Sequence, residues 1–358
     1  MGTTQRLHGL KVSIVIPYYN GEQWIGKCLD SLLMQDLKTD EYEIIVVDDG
    51  STHSIETLMK YVNDYPHIHY LHQRNQKHAA ARNYGLTIAK GDYVFFCDCD
   101  DFVAENVLGR LCDLAASEAA DILLFNSRSL EENDIPPQPK RNFEDIKSFE
   151  SGMVYMSQPP YQFAGGVWQF LIRRGFMEEK NVRFAPEMVN REEYLFFLQM
   201  LLASGKVLKV DVDVYYYVQH PTSWVHLEGK IYHSEAYVGC MLSYLKFLTQ
   251  IRKQLTEEGK GSVGLRGAMQ NFEAMDTFCI LTNKFRFSSI KANKEMINQL
   301  RCLGCYPISR KIDKYDWIRR ITNIYPLWMT LCCCYHLMPF KLRNRVGGNC
   351  SVNPVIAV

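Results

Sequence analysis

Short β-branched runs alternate with helix-periodic stretches over the first third of the chain. Val12–Ile16 is a run of the kind buried on both faces of a parallel sheet. Over Glu22–Met34 the apolar positions Trp24, Ile25, Cys28, Leu29, Leu32 and Leu33 form a helical stripe. The pattern then predicts a strand at Glu43–Val47, a helix at Ser54–Val62, a strand at Ile68–Leu71 and a helix at Lys77–Ala89 with Gly91 as its stop. Tyr93–Cys97 is a third hydrophobic strand, and a helix over Ala104–Ala116 and a strand over Ile122–Phe125 complete the alternation. Such alternation predicts an α/β fold, a mostly parallel sheet flanked by helices. From about Ser127 to Ser157 the chain is polar and Pro-rich, which reads as a long surface loop or insertion. Val167–Arg173 and Glu192–Leu202 are apolar-patterned again, Val207–Tyr217 alternates as a strand, and the pattern after about Ile231 is helical to Phe340. Two regions are therefore expected: an α/β domain over 1–228 and a helical region over 229–358.

In an open α/β sheet, ligands bind beyond the carboxyl ends of the strands. The residues at those places here are Pro17-Tyr18-Tyr19-Asn20, Asp48-Asp49-Gly50-Ser51 and Asp98-Cys99-Asp100-Asp101. The last is the strongest signal. Carboxylates at i and i+2 after a buried strand, Asp98 and Asp100, can converge on one Mg²⁺ or Mn²⁺ and leave room for phosphate oxygens. The plainer alternative is an acid-rich turn at a helix start, which is the expectation for Asp101. In the second cluster one Asp can cap the turn while the other hydrogen-bonds a base or ribose. In the first, Pro17 ends the strand and Tyr18 or Tyr19 offers an aromatic face or a hydroxyl.

Composition narrows the ligand. Lys+Arg and Asp+Glu both number 40, so no overall basic field suits the chain to nucleic acid, and an anionic ligand must be held by local groups. A hydrophobic share of 47% is that of a folded globular protein. The N-terminus carries no apolar run with a small-residue cleavage site, so a cytoplasmic location is expected, and the 12 cysteines are expected as thiols.

The segments VSIVIPYYNGEQWIGKCLDSLL, EIIVVDDGST and AAARNYGLTIAKGDYVFFCDCDD resemble the N-terminal half of family 2 glycosyltransferases of the GT-A fold, closely over 11–125 and more loosely to about 225. The resemblance implies an inverting transfer from a nucleotide-sugar, a UDP-sugar, to a glycan or lipid-linked glycan acceptor in bacterial surface polysaccharide synthesis. It places Pro17 and Tyr19 at the base and Asp49 on uracil. Lys77, Arg82 and Asn83 would shape the diphosphate side, Asp98 would lie near ribose or metal, and Asp100 would coordinate the metal. An inverting displacement needs a carboxylate base on the acceptor hydroxyl. Glu192-Glu193 in NREEYLFFLQML match the family's acidic pair, with Glu193 at the base position where the family has Asp. Trp168 resembles an acceptor-side aromatic, although a buried Trp is the alternative, and His220 is a candidate for metal or diphosphate. A nucleotidyltransferase would want a Gly-rich basic loop after the first strand, which PYYNGEQW is not. A non-catalytic binding module would be expected to lack a carboxylate, and all are present.

Ile324–Phe340 is apolar with basic residues at Arg319, Arg320, Lys341, Arg343 and Arg345. It is shorter than the ~20 residues a span needs, so the segment 319–345 is expected either as a helix peripheral at the inner membrane face or as one packed on the protein.

Overall fold

The computed structural model describes residues 9–158, 166–188, 191–221, 235–287, 289–312 and 316–324. They divide into two compact units. The first comprises residues 9–155, 166–188 and 192–220.

Its element order is β1 (Val12–Tyr18), α1 (Glu22–Leu33), β2 (Tyr42–Asp48), α2 (Glu56–Asp64), β3 (Ile68–His72), α3 (Lys77–Leu86), β4 (Tyr93–Phe96), β5 (Phe102–Val103), α4 (Leu108–Ser117), β6 (Ile122–Glu131) and β7 (Arg141–Phe149). There follow α5 (Gly152–Met156), a 3₁₀ turn at Val167–Gln169, β8 (Phe170–Arg173), α6 (Arg174–Glu179), α7 (Glu192–Ala203) and β9 (Val207–Gln219). The strands form one sheet in the order β3-β2-β1-β4-β8-β6-β9-β5, with β7 also on β9. β3, β2, β1 and β4 run parallel, and β8 is inserted antiparallel between β4 and β6. The sheet is thus mixed rather than mostly parallel beyond β4. β2 is buried along its whole length and β1 at every position but Pro17, as their β-branched runs require.

Three local expectations are corrected. The stretch read as a long loop contains the extension of β6 and the whole of β7, which pairs antiparallel with β9. β7 is an edge strand in which Phe143 alone is buried, so it carries no apolar alternation to read. α3 ends at Leu86, and Gly91 is not its stop: a Cβ there would lie 2.4 Å from the Ser13 backbone nitrogen, a close approach only glycine allows. β1 continues past Pro17 to Tyr18.

The second unit runs from Pro221 onward, with short pieces before it. It contains α8 (Glu235–Glu257), α9 (Val263–Phe287), α10 (Ile290–Leu303) and α11 (Asp316–Asn323). Met241, Leu245, Phe278, Met296, Ile297 and Leu300 form its core. Ser289 caps α10 at Ala292 N, and Gly304 in the left-handed region closes it. The domain limit expected at 228 lies outside the described residues, as does the apolar run beyond Ile324. Arg319 and Arg320, expected as a basic flank, are both paired with Asp316. Among the described residues no helix is long and apolar enough to cross a membrane.

Candidate active site

The carboxyl ends of β1, β2 and β4 meet at one edge of the first unit. Asn20, with φ 52, knits the first two: its Oδ1 accepts from Thr52 N and His53 N, and its own N–H donates to Ser51 Oγ. The sequence places Asn20 at the first strand end but not its partners, which lie 31 to 33 residues away. Tyr18 is buried, while Tyr19 is 48% exposed and is the tyrosine available to a ligand.

Asp48 and Asp49 are both buried and have different partners. Asp48 accepts from Ser51 N at 2.8 Å, capping the turn, and from the Tyr70 hydroxyl at 2.9 Å. Asp49 accepts from Gln73 Nε2, Gln76 N and Lys77 N at 2.7–2.8 Å. A carboxylate offers about four acceptor positions, and these three bonds fill three of them. Lys77, which the sequence placed near the diphosphate, is exposed and has φ 73.

Arg82 is not on an open phosphate face. It is buried, donating to Asp98 Oδ1 at 2.8 Å and to Glu193 Oε1 at 2.7 Å. Burial opposes its charge, but Glu193 and Asp98 more than restore it, so the guanidinium is held firmly cationic. Asn83 exchanges two hydrogen bonds with the backbone of Phe184. Phe184 stacks on Phe196 of α7 and lies under the Arg82 guanidinium.

Glu192 and Glu193 open α7 and differ in surroundings. Glu192 has a side-chain exposure of 7% and is hydrogen-bonded to His78 Nε2. Burial pushes its carboxyl up, but the His78 bond and charge bring it below the usual value. Burial likewise opposes charge on His78, yet Glu192 raises the imidazole above its ordinary range. Glu193 is 22% exposed. Burial raises its carboxyl, Arg82 pulls it back, and the charges of Glu192 and Asp98 push it up again, for a net rise. Among the described residues, His78, Glu192 and Glu193 are the one set of three ligand-type groups within 4.8 Å of one another. Sequence reading missed His78, since a lone His in a helix start carries no signal.

Asp98 and Asp100 are 27% and 29% exposed, and Asp100 Oδ2 lies 3.0 Å from His220 Nε2. The His220 ring packs on Trp24 with centroids 4.3 Å apart and the planes tilted by 31°. Carboxylate and imidazole are donor types that a divalent cation takes, but Asp98, Asp100 and His220 are not, among the described residues, a set of three whose ligand atoms lie within 4.8 Å of one another. Asp101 is not a helix-start acid in solvent. It is buried, accepting from Tyr215 Oη at 2.5 Å and Val218 N at 2.7 Å, and Asp98 N donates to the same Tyr215 oxygen. Burial and the neighbouring acids push its carboxyl well up. β9 thus grips the acidic turn at Tyr215, Val218 and His220. Trp168 is 7% exposed and stacks on Tyr215 at 4.6 Å, so the buried alternative is the one the structure shows.

The profile of glycosyl transferase family 2 matches residues 13–179. A poly(ribitol-phosphate) beta-glucosyltransferase of Bacillus spizizenii is 30% identical over 215 residues, covering 59% of this chain and 32% of the relative. The glycosyltransferase EpsJ of Bacillus subtilis is 31% identical over 223 residues, 61% of this chain and 64% of its own. The chain therefore spans about a third of the first relative and under two thirds of the second. The crystal structure of Staphylococcus aureus TarS 1–349 in complex with UDP-GlcNAc superimposes with a TM-score of 0.64 at 20% identity, over 91% of this chain and 92% of that one. That likeness is one of fold, the GT-A arrangement of a mixed sheet flanked by helices with a helical C-terminal region.

Proposed function

We propose, from the match of residues 13–179 to the glycosyl transferase family 2 model, that the chain moves a sugar from a UDP-sugar onto a bacterial cell-surface glycan or its lipid-linked precursor, with inversion. The observation that carries this reading is the Arg82 bridge. One buried guanidinium ties Asp98, at the donor strand end, to Glu193, on the acceptor-side helix. Such a tie would hold a donor-side carboxylate and a base at fixed separation. The relatives' names support a surface glycan as acceptor.

In this reading Tyr19 stacks on the base and Asp49 offers its remaining acceptor position to uracil, with Pro17 as the floor. Lys77, exposed at the start of α3, reaches the diphosphate. Glu193 takes the proton of the acceptor hydroxyl as that oxygen bonds to the anomeric carbon. The bond from that carbon to the diphosphate oxygen breaks on the opposite side, and its electron pair leaves with UDP. The proton ends on Glu193 and the configuration inverts. Asp100 and His220, with Asp98 alongside, would hold Mn²⁺ or Mg²⁺, whose charge would stabilise the departing diphosphate. Arg82 binds Asp98 and Glu193 through different guanidinium nitrogens and so sets their separation. A lipid-linked acceptor would be met at the cytoplasmic face of the membrane.

The test is binding and turnover of a panel of nucleotide-sugars with Mn²⁺, Mg²⁺ or EDTA, on the wild type and Asp100→Ala. Cation-dependent turnover of one UDP-sugar, lost in the variant, is expected. No cation-dependent binding of any nucleotide-sugar would overturn the reading.

A further inference from the structure

His78 and Arg82 stand one turn apart on α3, the spacing at which side chains share a helix face. Opposite them, adjacent glutamates open α7. The pairing is one to one: His78 with Glu192, Arg82 with Glu193. Two carboxylates within 4.8 Å cannot both stay ionised unless cations face them, and α3 supplies both cations.

We propose that His78 is a positioning residue for the transfer: by holding Glu192 ionised and in place, it leaves Arg82 to Glu193 and makes Glu193 the single base. This rests on the reading of Glu193 as the base. Without His78, the more buried Glu192 has no cation of its own. It then takes up a proton that it shares with Glu193, or turns toward Arg82 and displaces Glu193 from it. Either event misplaces the base. The groups facing Glu193 are Arg82 and His78 from α3, Asp98 from the turn after β4, Tyr217 from β9 and Glu192 beside it on α7.

The experiment is kcat and KM against pH for the wild type, His78→Ala, His78→Gln, Glu192→Gln and the His78→Ala/Glu192→Gln double variant, with a donor the wild type turns over. Thermal midpoints confirm that each is folded. In His78→Ala, kcat is expected to fall by about tenfold to a hundredfold, with the donor KM little changed. The acid limb of kcat/KM moves to higher pH, because removing a cation raises the proton affinity of the glutamate pair. His78→Gln, which still donates a hydrogen bond but carries no charge, recovers part of kcat while its limb stays shifted. The double variant is no slower than Glu192→Gln alone, since His78 acts through that side chain. An unmoved acid limb in both folded His78 variants, or fully additive losses in the double variant, would overturn the proposal while leaving the transferase reading intact. A wild type that turns over no nucleotide-sugar overturns that reading instead, and His78's role with it.

Discussion

Lys77 sits where two demands conflict. Its N–H must point at Asp49, which needs φ 73, a conformation that costs a residue with a Cβ roughly 1–2 kcal/mol. Glycine would avoid that cost but lose about 0.4–1 kcal/mol through the unfolded chain. Lys77→Gly is therefore expected to raise stability by about 0.5–1 kcal/mol, read as a small increase in the thermal midpoint. The donor KM should rise at the same time, because the ammonium is gone. A raised midpoint together with a raised KM marks strain kept for binding, whereas an unchanged KM would remove Lys77 from the site. The charge state of Glu193 gives a second test. Burial first, then Glu192 and Asp98, raise its carboxyl above the usual 4.5, with Arg82 opposing. The base works only ionised, so activity is present above that raised value and lost as pH falls through it. The acid limb of kcat/KM should thus lie above 4.5, and Glu193→Gln should abolish the limb with the activity. A limb at or below 4.5 would take the base role from Glu193.

The contacts among these residues depend on how closely α3 lies on β1. Gly85 faces the sheet, and a Cβ there would meet Val15 Cγ1 at 2.5 Å and Val47 Cγ2 at 3.3 Å. Gly85→Ala must push the helix off the sheet or force both valines from their rotamers, at a cost of about 1–3 kcal/mol. Since His78 and Arg82 ride on the same helix, the expected outcome is a lower thermal midpoint with a lower kcat. A drop in stability alone would mean that α3 tolerates the shift without moving its charges. The strands and helices of the first unit were legible because each buries a face and so repeats apolar residues at its own period. The strand ends followed from the same runs, which is why Tyr19, Asp49, Asp98 and Asp100 could be named. β7 was illegible because an exposed edge strand repeats nothing. The partners of Arg82 were illegible for another reason. Glu193 lies 111 residues along the chain, and a basic residue in a helix looks the same whether it faces a phosphate or a carboxylate. Asp101 was misjudged similarly: only the return of β9 buries it.

Across the whole molecule, cations and anions balance at 40 each, so little long-range field draws an anionic donor in. The strand ends themselves are lined by accessible Asp98, Asp100 and Glu193. The buried cation among them, Arg82, is already taken up by two of those acids. A diphosphate entering this crevice meets net negative charge, and screening by monovalent salt cannot be what admits it. Two consequences follow for one titration. Raising NaCl from about 50 to 300 mM shortens the screening length only about 2.4-fold, and contacts at hydrogen-bond distance are little screened at either, so the donor KM should change by no more than about twofold. Removing the divalent cation at fixed ionic strength should instead abolish measurable donor binding, because the carboxylates then repel the diphosphate. A steep salt dependence, tenfold or more over that range, would mean that a basic surface outside the strand ends captures the donor. The site built by Asp98, Asp100 and His220 would then be secondary to it.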